Sequence, residues 1–269
     1  MGDVWAVAGA YEAYVGRWSR RVAAEFVRWL GVPPGRRWLD AGCGTGALTG
    51  TVLDAASPAT VVGVDMSLGF LGEARRRAPV GPVAAGDATG FVAGDAAALP
   101  LAGGRFDAVV SGLALNFVPG PERAVAEFAR VAAPGGTVAG YVWDYADGMR
   151  MMRYFWDAAA EVDPSAADRD EGPRFPICHP EALHEAWTGA GLTEVETRGI
   201  EVPTVFADFD DYWRPFLGGQ GPAPAYLAAM PPDQREAVRA LLDSRLPREA
   251  DGSIALTARA WAARGTARR

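Results

Sequence analysis

Short apolar runs alternate with amphipathic segments along the first half of the chain. The predicted strands of this half occupy residues 38–39, 61–64, 106–111 and 137–145. The predicted helices, whose apolar positions recur at helical spacing, occupy residues 22–30, 47–56 and 122–131. Strands and helices that alternate in this way predict a parallel sheet.

The second half of the chain departs from this alternation. Its predicted elements are helices at 149–161 and 180–190, a strand at 194–202, a helical segment at 204–247 and a strand at 253–263. With one more strand in the segment 80–100, the chain holds seven predicted strands. The last two are predicted to pair antiparallel, with an insertion between them.

We expect three parts with different roles. Residues 1–35 are predicted to form N-terminal lid helices, and residues 36–203 with 252–265 to form the α/β core. Residues 204–251 are predicted to form a helical substrate cap, since Phe206, Phe209, Tyr212, Trp213 and Phe216 give that segment an aromatic face. Such a face suits a core as well as a substrate pocket.

The N-terminal segment carries an aromatic helical face. Tyr11, Tyr14, Val15 and Trp18 follow the spacing i, i+3, i+4, i+7. This face fits a docking helix that covers core, or a lid in which Tyr14 and Trp18 shield a cofactor.

A glycine-rich turn joins the first predicted strand to the next helix. Asp40 ends the strand, and Gly42, Gly44 and Gly46 alternate after it. Glycine tolerates positive φ and close approach, and the helix N-terminus leaves N–H groups free for a ligand. The spacing Gly42, Gly44, Ala47 also matches the dinucleotide pattern G-x-G-x-x-A, so a nicotinamide cofactor stays open.

An acidic residue ends the second predicted strand. Asp65 lies about 20 residues beyond the glycine turn, where a doubly wound fold places a carboxylate on ribose hydroxyls. Its alternative role is a helix N-cap. Met66 fits either a contact with adenine or the core.

Two Gly-Asp-Ala sequences compete for one position over the sheet edge. Asp95, followed by Ala96, is favoured as the adenine contact, and Asp87 is its rival. Either aspartate also suits plain turn chemistry.

Candidates for a general base follow strands four and five or lie on a later helix. Asn116 follows strand four, while Asp144 and Tyr145 end strand five, an edge where ligands bind in open α/β sheets. His179 takes a helix N-cap position and His184 borders the apolar stripe of that helix, so structural roles compete for both. No metal site is expected.

Composition narrows the classes of function. The 269 residues carry a net charge of −7, which disfavours a nucleic-acid partner. The chain has no lysine, which excludes Schiff-base chemistry. No apolar run reaches the ~20 residues of a membrane span. Two cysteines and no signal-like start predict a cytoplasmic protein.

The motifs together resemble those of class I S-adenosylmethionine-dependent methyltransferases, especially the ubiquinone- and menaquinone-biosynthesis group (methyltransferase type 11). The matching sequences are LDAGCGTGALT at 39–49, VVGVDMS at 61–67, GDAAALP at 94–100, FDAVVS at 106–111 and PGG at 134–136. The resemblance implies a doubly wound, Rossmann-like, three-layer sheet in the order 3-2-1-4-5-7-6, with the last strand antiparallel.

The resemblance also implies residue roles. It implies that Gly42 and Gly44 face the methionine part of S-adenosylmethionine and that Asp40 binds its amino group. It implies that Asp65 binds the ribose hydroxyls. The same resemblance implies Asp95 and Ala96 on the adenine, and Ser111 at the sulfonium.

We therefore expect in-line methyl transfer from S-adenosylmethionine to a small apolar or aromatic molecule. Nothing in this reaction requires a nucleophilic residue, and a base is needed only for a protonated acceptor. The alternatives are a cofactor-binding regulatory or assembly module without transfer activity, and a nicotinamide oxidoreductase. A homodimer is compatible with the sequence.

Overall fold

The computed structural model describes residues 16–78, 88–218 and 221–268. Within these residues seven strands form one mixed sheet. The strands are β1 (Arg37–Ala41), β2 (Thr60–Asp65), β3 (Ala88–Ala93), β4 (Phe106–Gly112), β5 (Ala132–Trp143), β6 (Thr193–Phe206) and β7 (Ile254–Thr266). Their order is β3-β2-β1-β4-β5-β7-β6, which confirms the predicted topology.

Helices connect and flank these strands. The longer helices are α1 (Arg17–Leu30), α2 (Ala47–Ala56), α3 (Leu68–Arg77), α4 (Pro121–Val131), α5 (Arg150–Val162), α7 (Pro180–Gly189), α9 (Pro222–Ala229) and α10 (Pro232–Arg245). The short helices are α6 (Glu171–Arg174) and α8 (Phe209–Trp213). None of the helices in the described ranges combines the length and apolar character that a membrane span needs.

The order of the strands reverses at β1, because the strands before and after this point lie on opposite sides of it. This strand pairs in parallel with β2 on one side and with β4 on the other. The apolar side chains Trp38 and Leu39 are fully buried, because helices cover both faces of a doubly wound sheet. The carboxyl ends of β1 and β4 therefore form the topological switch point, where such folds bind ligands.

The last strand, β7, runs antiparallel to β5. Gly135 near the start of β5 donates its N–H to the Ala267 carbonyl at 2.9 Å, and Ala267 donates to the Gly136 carbonyl at 2.8 Å. Because Ala267 directly follows β7, the start of one strand faces the end of the other. The predicted antiparallel last strand is thus confirmed.

The contacts divide the chain into two compact units. The aromatic unit comprises, of the described residues, 16–18, 143–176, 201–218 and 221–260. The glycine-loop unit comprises the described residues 19–78, 88–142, 177–200 and 261–268. The predicted division into lid, core and cap stays a prediction.

Each unit has its own core. In the glycine-loop unit the rings of Phe26 and Tyr141 lie 4.6 Å apart, and the Trp187 indole donates to the Val138 carbonyl. In the aromatic unit Phe155 stacks on Phe216 with ring centroids 4.6 Å apart. Aromatic pairs of this kind add to the stabilisation from buried apolar area.

Two strands, β5 and β6, extend furthest beyond their predicted bounds. β5 begins at Ala132 rather than at 137 and ends at Trp143 rather than 145, so the PGG sequence lies inside it. The reason is a register shift between Phe106 and Ala108, which lets Ala132 pair with Phe106. β6 continues to Phe206, beyond its predicted end at 202.

Candidate cofactor-binding site

The glycine turn after β1 is built from left-handed backbone. Gly42, Gly44 and Gly46 have φ of 75°, 53° and 86°. A Cβ on Gly42 would lie 2.5 Å from the Cβ of Ala114, so glycine lets the loops after β1 and β4 touch. A Cβ on Gly44 would meet nothing within 4 Å. The backbone at Gly44 therefore borders open space that a ligand can approach.

A hydrogen bond from this turn to Asp65 links it to the end of β2. Its Oδ2 accepts the Gly44 N–H at 2.9 Å, and its Oδ1 accepts the Ser67 N–H at 2.8 Å. Ser67 caps α3, since its hydroxyl accepts the Phe70 N–H. The N-cap alternative for Asp65 is therefore wrong. Each carboxylate oxygen keeps a further lone pair for a donor.

Asp40 is a buried acid with one unused oxygen. The residue is 1% exposed, and its Oδ2 accepts the hydroxyl of Thr49 at 2.6 Å. Its Oδ1 is buried and has no hydrogen-bond partner among the described residues. Burial raises the pKa of Asp40 to about 7, although the Thr49 hydrogen bond lowers it, and the negative Asp65 adds to the rise. A buried acceptor without a donor is costly, so a ligand cation would stabilise this carboxylate.

Two apolar side chains beside Asp65 face solvent. Met66 is 74% exposed and Leu68 72% exposed. The alternative of Met66 as a core residue is therefore wrong. Exposed apolar side chains next to a polar site offer a surface for a flat ring.

The turn after β3 holds the other predicted adenine residues. The Asp95 carboxylate accepts the Ala97 N–H at 2.8 Å, so it performs turn chemistry, and Ala96 is buried. Gly94 donates its N–H to the Asp65 carbonyl at 3.1 Å, which ties this turn to β2. The rival, Asp87, lies outside the described residues.

The loop after β4 faces the same turn. Ser111 is buried, with its Oγ 4.0 Å from the position of a Cβ on Gly42. Asn116 is 8% exposed and lies in a 3₁₀ turn, Leu115–Phe117. Its Nδ2 is buried without a hydrogen-bond partner among the described residues.

The remaining candidates in the glycine-loop unit lie on α7. His179 occupies the N-cap position of this helix, as predicted, but its side chain makes no capping hydrogen bond. His179 and His184 are both exposed.

Three predicted site residues belong to the aromatic unit. Asp144 is buried, and its carboxylate receives the Arg259 guanidinium at 2.7 Å and the Asp147 N–H at 3.1 Å. The ring of Tyr145 lies 5.7 Å from that of Phe175.

The third of these residues is Trp18. It is buried, and its ring meets that of Phe206 edge to face at 5.5 Å. Tyr14, predicted on the same helical face, lies outside the described residues.

Two polar residues at these sites were missed by sequence reasoning. Thr49 is the partner of Asp40, and only its place in the motif at 39–49 hinted at a role. Glu171 is a buried acid whose Oε2 accepts the Trp156 indole N–H and whose Oε1 has no partner among the described residues. It lies in a polar stretch, and no sequence signal marked its burial.

Cys43 and Cys178 are both buried, and neither forms a disulfide. In the part of the chain that the structure describes, no three His, Cys, Asp or Glu side chains are grouped to hold a metal ion.

Comparison with known proteins relates part of the chain to methyltransferases. Residues 39–140 match the family model described as a methyltransferase domain. A demethylmenaquinone methyltransferase of Renibacterium salmoninarum is 42% identical over 120 residues, which is 45% of each chain. A malonyl-(acyl-carrier protein) O-methyltransferase of Methylococcus capsulatus is 38% identical over 113 residues, 42% of this chain and 39% of that one. The match thus spans less than half the length of these relatives.

A solved structure shows the same fold. The phosphoethanolamine N-methyltransferase 2 of Haemonchus contortus, in complex with S-adenosyl-L-methionine, superimposes with a TM-score of 0.59 at 17% identity. The superposition covers 97% of this chain and 56% of that one. Residues 39–140 of the chain are therefore similar in sequence to a methyltransferase domain, and the solved structure shares their fold.

Proposed function

We propose that the protein is an S-adenosylmethionine-dependent methyltransferase that acts on a small molecule with an apolar or aromatic body. The observation that carries the cofactor assignment is the buried, unpartnered Oδ1 of Asp40 beside the glycine turn. The amino group of S-adenosylmethionine is a cation with N–H donors, which is what this oxygen lacks. A positive partner also favours the ionised carboxylate.

Other groups of the glycine-loop unit fit the rest of the cofactor. The Asp65 oxygens each hold one backbone N–H and retain lone pairs for ribose hydroxyls. The exposed Met66 and Leu68 provide an apolar surface for the adenine, and the turn at Asp95 and Ala96 borders it. The open space at Gly44 suits the methionine part.

The cofactor supplies a methyl group that is already activated on a sulfonium, so the protein needs chiefly to orient the acceptor and exclude water. Ser111 lies near the end of β4 and Asn116 in the 3₁₀ turn that follows it, and both suit contacts at the reacting end of the cofactor. The Asn116 Nδ2 has a free donor to offer an acceptor molecule. Asp144 is paired with Arg259, which favours a structural role over that of a general base.

The acceptor class is inferred from the relatives. Phe209, Tyr212, Trp213 and Phe216 are buried and their rings pack against one another, which fits the core of the aromatic unit. One relative is named for demethylmenaquinone, a second for a malonyl acyl-carrier protein. We further propose a reducing, cytoplasmic location, in keeping with two cysteines that form no disulfide, and no nucleic-acid partner, in keeping with the net charge of −7.

Product formation tests this proposal. The protein is incubated with S-adenosylmethionine and a panel of phenols, amines and carboxylates, and S-adenosylhomocysteine is measured. We expect release that depends on one acceptor class. Tight cofactor binding with no release from any acceptor would favour the regulatory or assembly module.

A further inference from the structure

An acid and a base on helix α4 hold the segment that follows the turn at Asp95. The Oε2 of Glu127 accepts the Leu99 N–H at 2.8 Å. The Arg130 guanidinium donates to the Leu99 carbonyl at 3.2 Å and to the Leu101 carbonyl at 3.1 Å. Because both side chains bind backbone groups, they fix the path of this segment rather than recognise its side chains.

The acid and the base also orient each other. Arg130 donates through Nε to the Glu127 Oε1 at 2.6 Å and through Nη2 to its Oε2 at 2.7 Å. These hydrogen bonds hold the pKa of Glu127 below its usual range, although burial opposes them, so the pair is ionised at neutral pH. Two parallel bonds between a guanidinium and a carboxylate fix the geometry of both groups. Each partner is therefore held in the orientation in which it binds the Leu99 backbone.

The held segment folds back on the end of β3. A Cβ on Gly94 would lie 2.7 Å from the Cδ of Pro100, so the proline ring packs directly on the glycine backbone. Between these two residues the Ala98 N–H donates to the Asp95 carbonyl at 3.0 Å. The placement of Leu99 and Pro100 therefore governs the placement of the turn at Asp95.

The same turn is joined to the acid that ends β2. The Gly94 N–H donates to the Asp65 carbonyl at 3.1 Å, and the Asp65 carboxylate accepts the Gly44 N–H at 2.9 Å. Every contact in this series, from Glu127 to the glycine turn, lies within the glycine-loop unit. Helix α4 is thus connected by hydrogen bonds and close packing to the elements that the proposed function assigns to the adenosine part of the cofactor.

We propose that Glu127 and Arg130 are positioning residues that set the selectivity of the cofactor site for adenine. The inference rests on the proposed function, which takes the turn at Asp95 and Ala96 as the border of the adenine. Hydrogen bonds to the edge of a ring weaken steeply as distance and angle depart from ideal values, so a turn released from α4 recognises the 6-amino group less well. The loss falls on recognition of the base rather than on the amino group that Asp40 is proposed to bind.

Two ligands that differ at the ring measure this selectivity. S-adenosylhomocysteine has a 6-amino group, whereas S-inosylhomocysteine has a 6-oxo group and an N1–H. Calorimetric titration of wild type should show S-adenosylhomocysteine binding about ten-fold more tightly or better, because the 6-oxo ring leaves polar groups unpaired.

Variants of the two positioning residues should lower this ratio of affinities. Glu127→Ala releases the Leu99 N–H and should bring the ratio to about three-fold or less. Glu127→Gln keeps an acceptor for that N–H and should retain part of the selectivity. Arg130→Met removes the donors to the Leu99 and Leu101 carbonyls and should act in the same direction as Glu127→Ala.

The controls separate the possible failures. Glu122→Ala changes an exposed glutamate in the first turn of α4 and should keep the wild-type ratio. A purely structural role predicts lower stability with an unchanged ratio, because the folded fraction affects both affinities equally. Circular dichroism checks that each variant folds, and Arg130→Met serves if Glu127→Ala does not.

Two outcomes would overturn the inference, namely no selectivity in wild type and an unchanged ratio in a folded Glu127→Ala or Arg130→Met variant. If wild type binds neither S-adenosylmethionine nor S-adenosylhomocysteine, the proposed function itself fails.

Discussion

The carboxylate of Asp65 accepts the backbone N–H of Gly44 at 2.9 Å, although 21 positions separate the two residues. The acid that ends β2 therefore shapes the turn that follows β1. A cofactor bound between them would meet the turn and the carboxylate as one preorganised site. Preorganised sites bind with a smaller entropic cost than flexible ones.

Replacing Asp65 should weaken cofactor binding. We expect Asp65→Ala to lose about 1–3 kcal/mol of binding free energy for S-adenosylmethionine, because hydrogen bonds to a charged acceptor are lost and the Gly44 and Ser67 N–H groups lose their partner. Calorimetry on the folded variant measures this loss. Asp54→Ala changes an exposed aspartate on α2 and is the control. An unchanged dissociation constant in Asp65→Ala would refute the ribose assignment.

Cofactor affinity should depend on the ionisation of Asp40. Its pKa is about 7 in the ligand-free protein, so near neutral pH a fraction of the molecules carry a protonated Asp40. In those molecules Asp40 must lose its proton before it can pair with an ammonium group. Affinity should therefore be highest above pH 7 and fall as the pH drops below it, by up to about ten-fold per unit. Titrations of wild type and Asp40→Asn across this range check the effect. A pH dependence equally steep in Asp40→Asn would assign it to another group.

Thr49 should support cofactor binding through Asp40. Thr49→Val removes the hydroxyl that donates to Oδ2, so the pKa of Asp40 should rise further and affinity at neutral pH should fall. Part of the loss should be recovered at higher pH. Thr51→Val on the same helix is the matched control, because the Thr51 hydroxyl donates to the Ala47 carbonyl of its own helix and not to Asp40. Equal affinities for the two variants at every pH would contradict this role.

Gly42 should tolerate no side chain. Gly42→Ala places a Cβ 2.5 Å from that of Ala114 at a φ of 75°, so both a clash and backbone strain are expected. Gly35→Ala has a similar φ of 73° with open space around it and isolates the strain. We expect about 1–2 kcal/mol of lost unfolding free energy for Gly35→Ala and a clearly larger loss for Gly42→Ala. Chemical denaturation measures both, and equal losses would mean that the two loops separate freely.

Much of the fold could be predicted because buried strands and glycine turns leave strong local signals. Val61 and Val64 are fully buried in β2 as their apolar run predicted, and Asp65 follows them at the site. The start of β5 could not be predicted from the sequence, because proline and glycine residues such as Pro134 and Gly135 usually end a strand or a helix. Only the pairing with β4 reveals the register shift that keeps them in the strand.

The missed polar contacts depend on tertiary structure. Thr49 meets Asp40 only once α2 has folded back beside β1. The burial of Glu171 depends on Trp156, which lies 15 positions earlier on another helix. The local sequence pattern does not reveal such pairs. The turn role of Asp95 involves a residue only two positions away, so the sequence can suggest it.

The identity of the cofactor is the central claim, and calorimetric titration of the wild-type protein tests it most directly. S-adenosylmethionine, S-adenosylhomocysteine and NAD are titrated in turn at a pH above the pKa of Asp40. The account predicts saturable binding of S-adenosylmethionine and S-adenosylhomocysteine and none of NAD. Binding of NAD without binding of S-adenosylmethionine would contradict it.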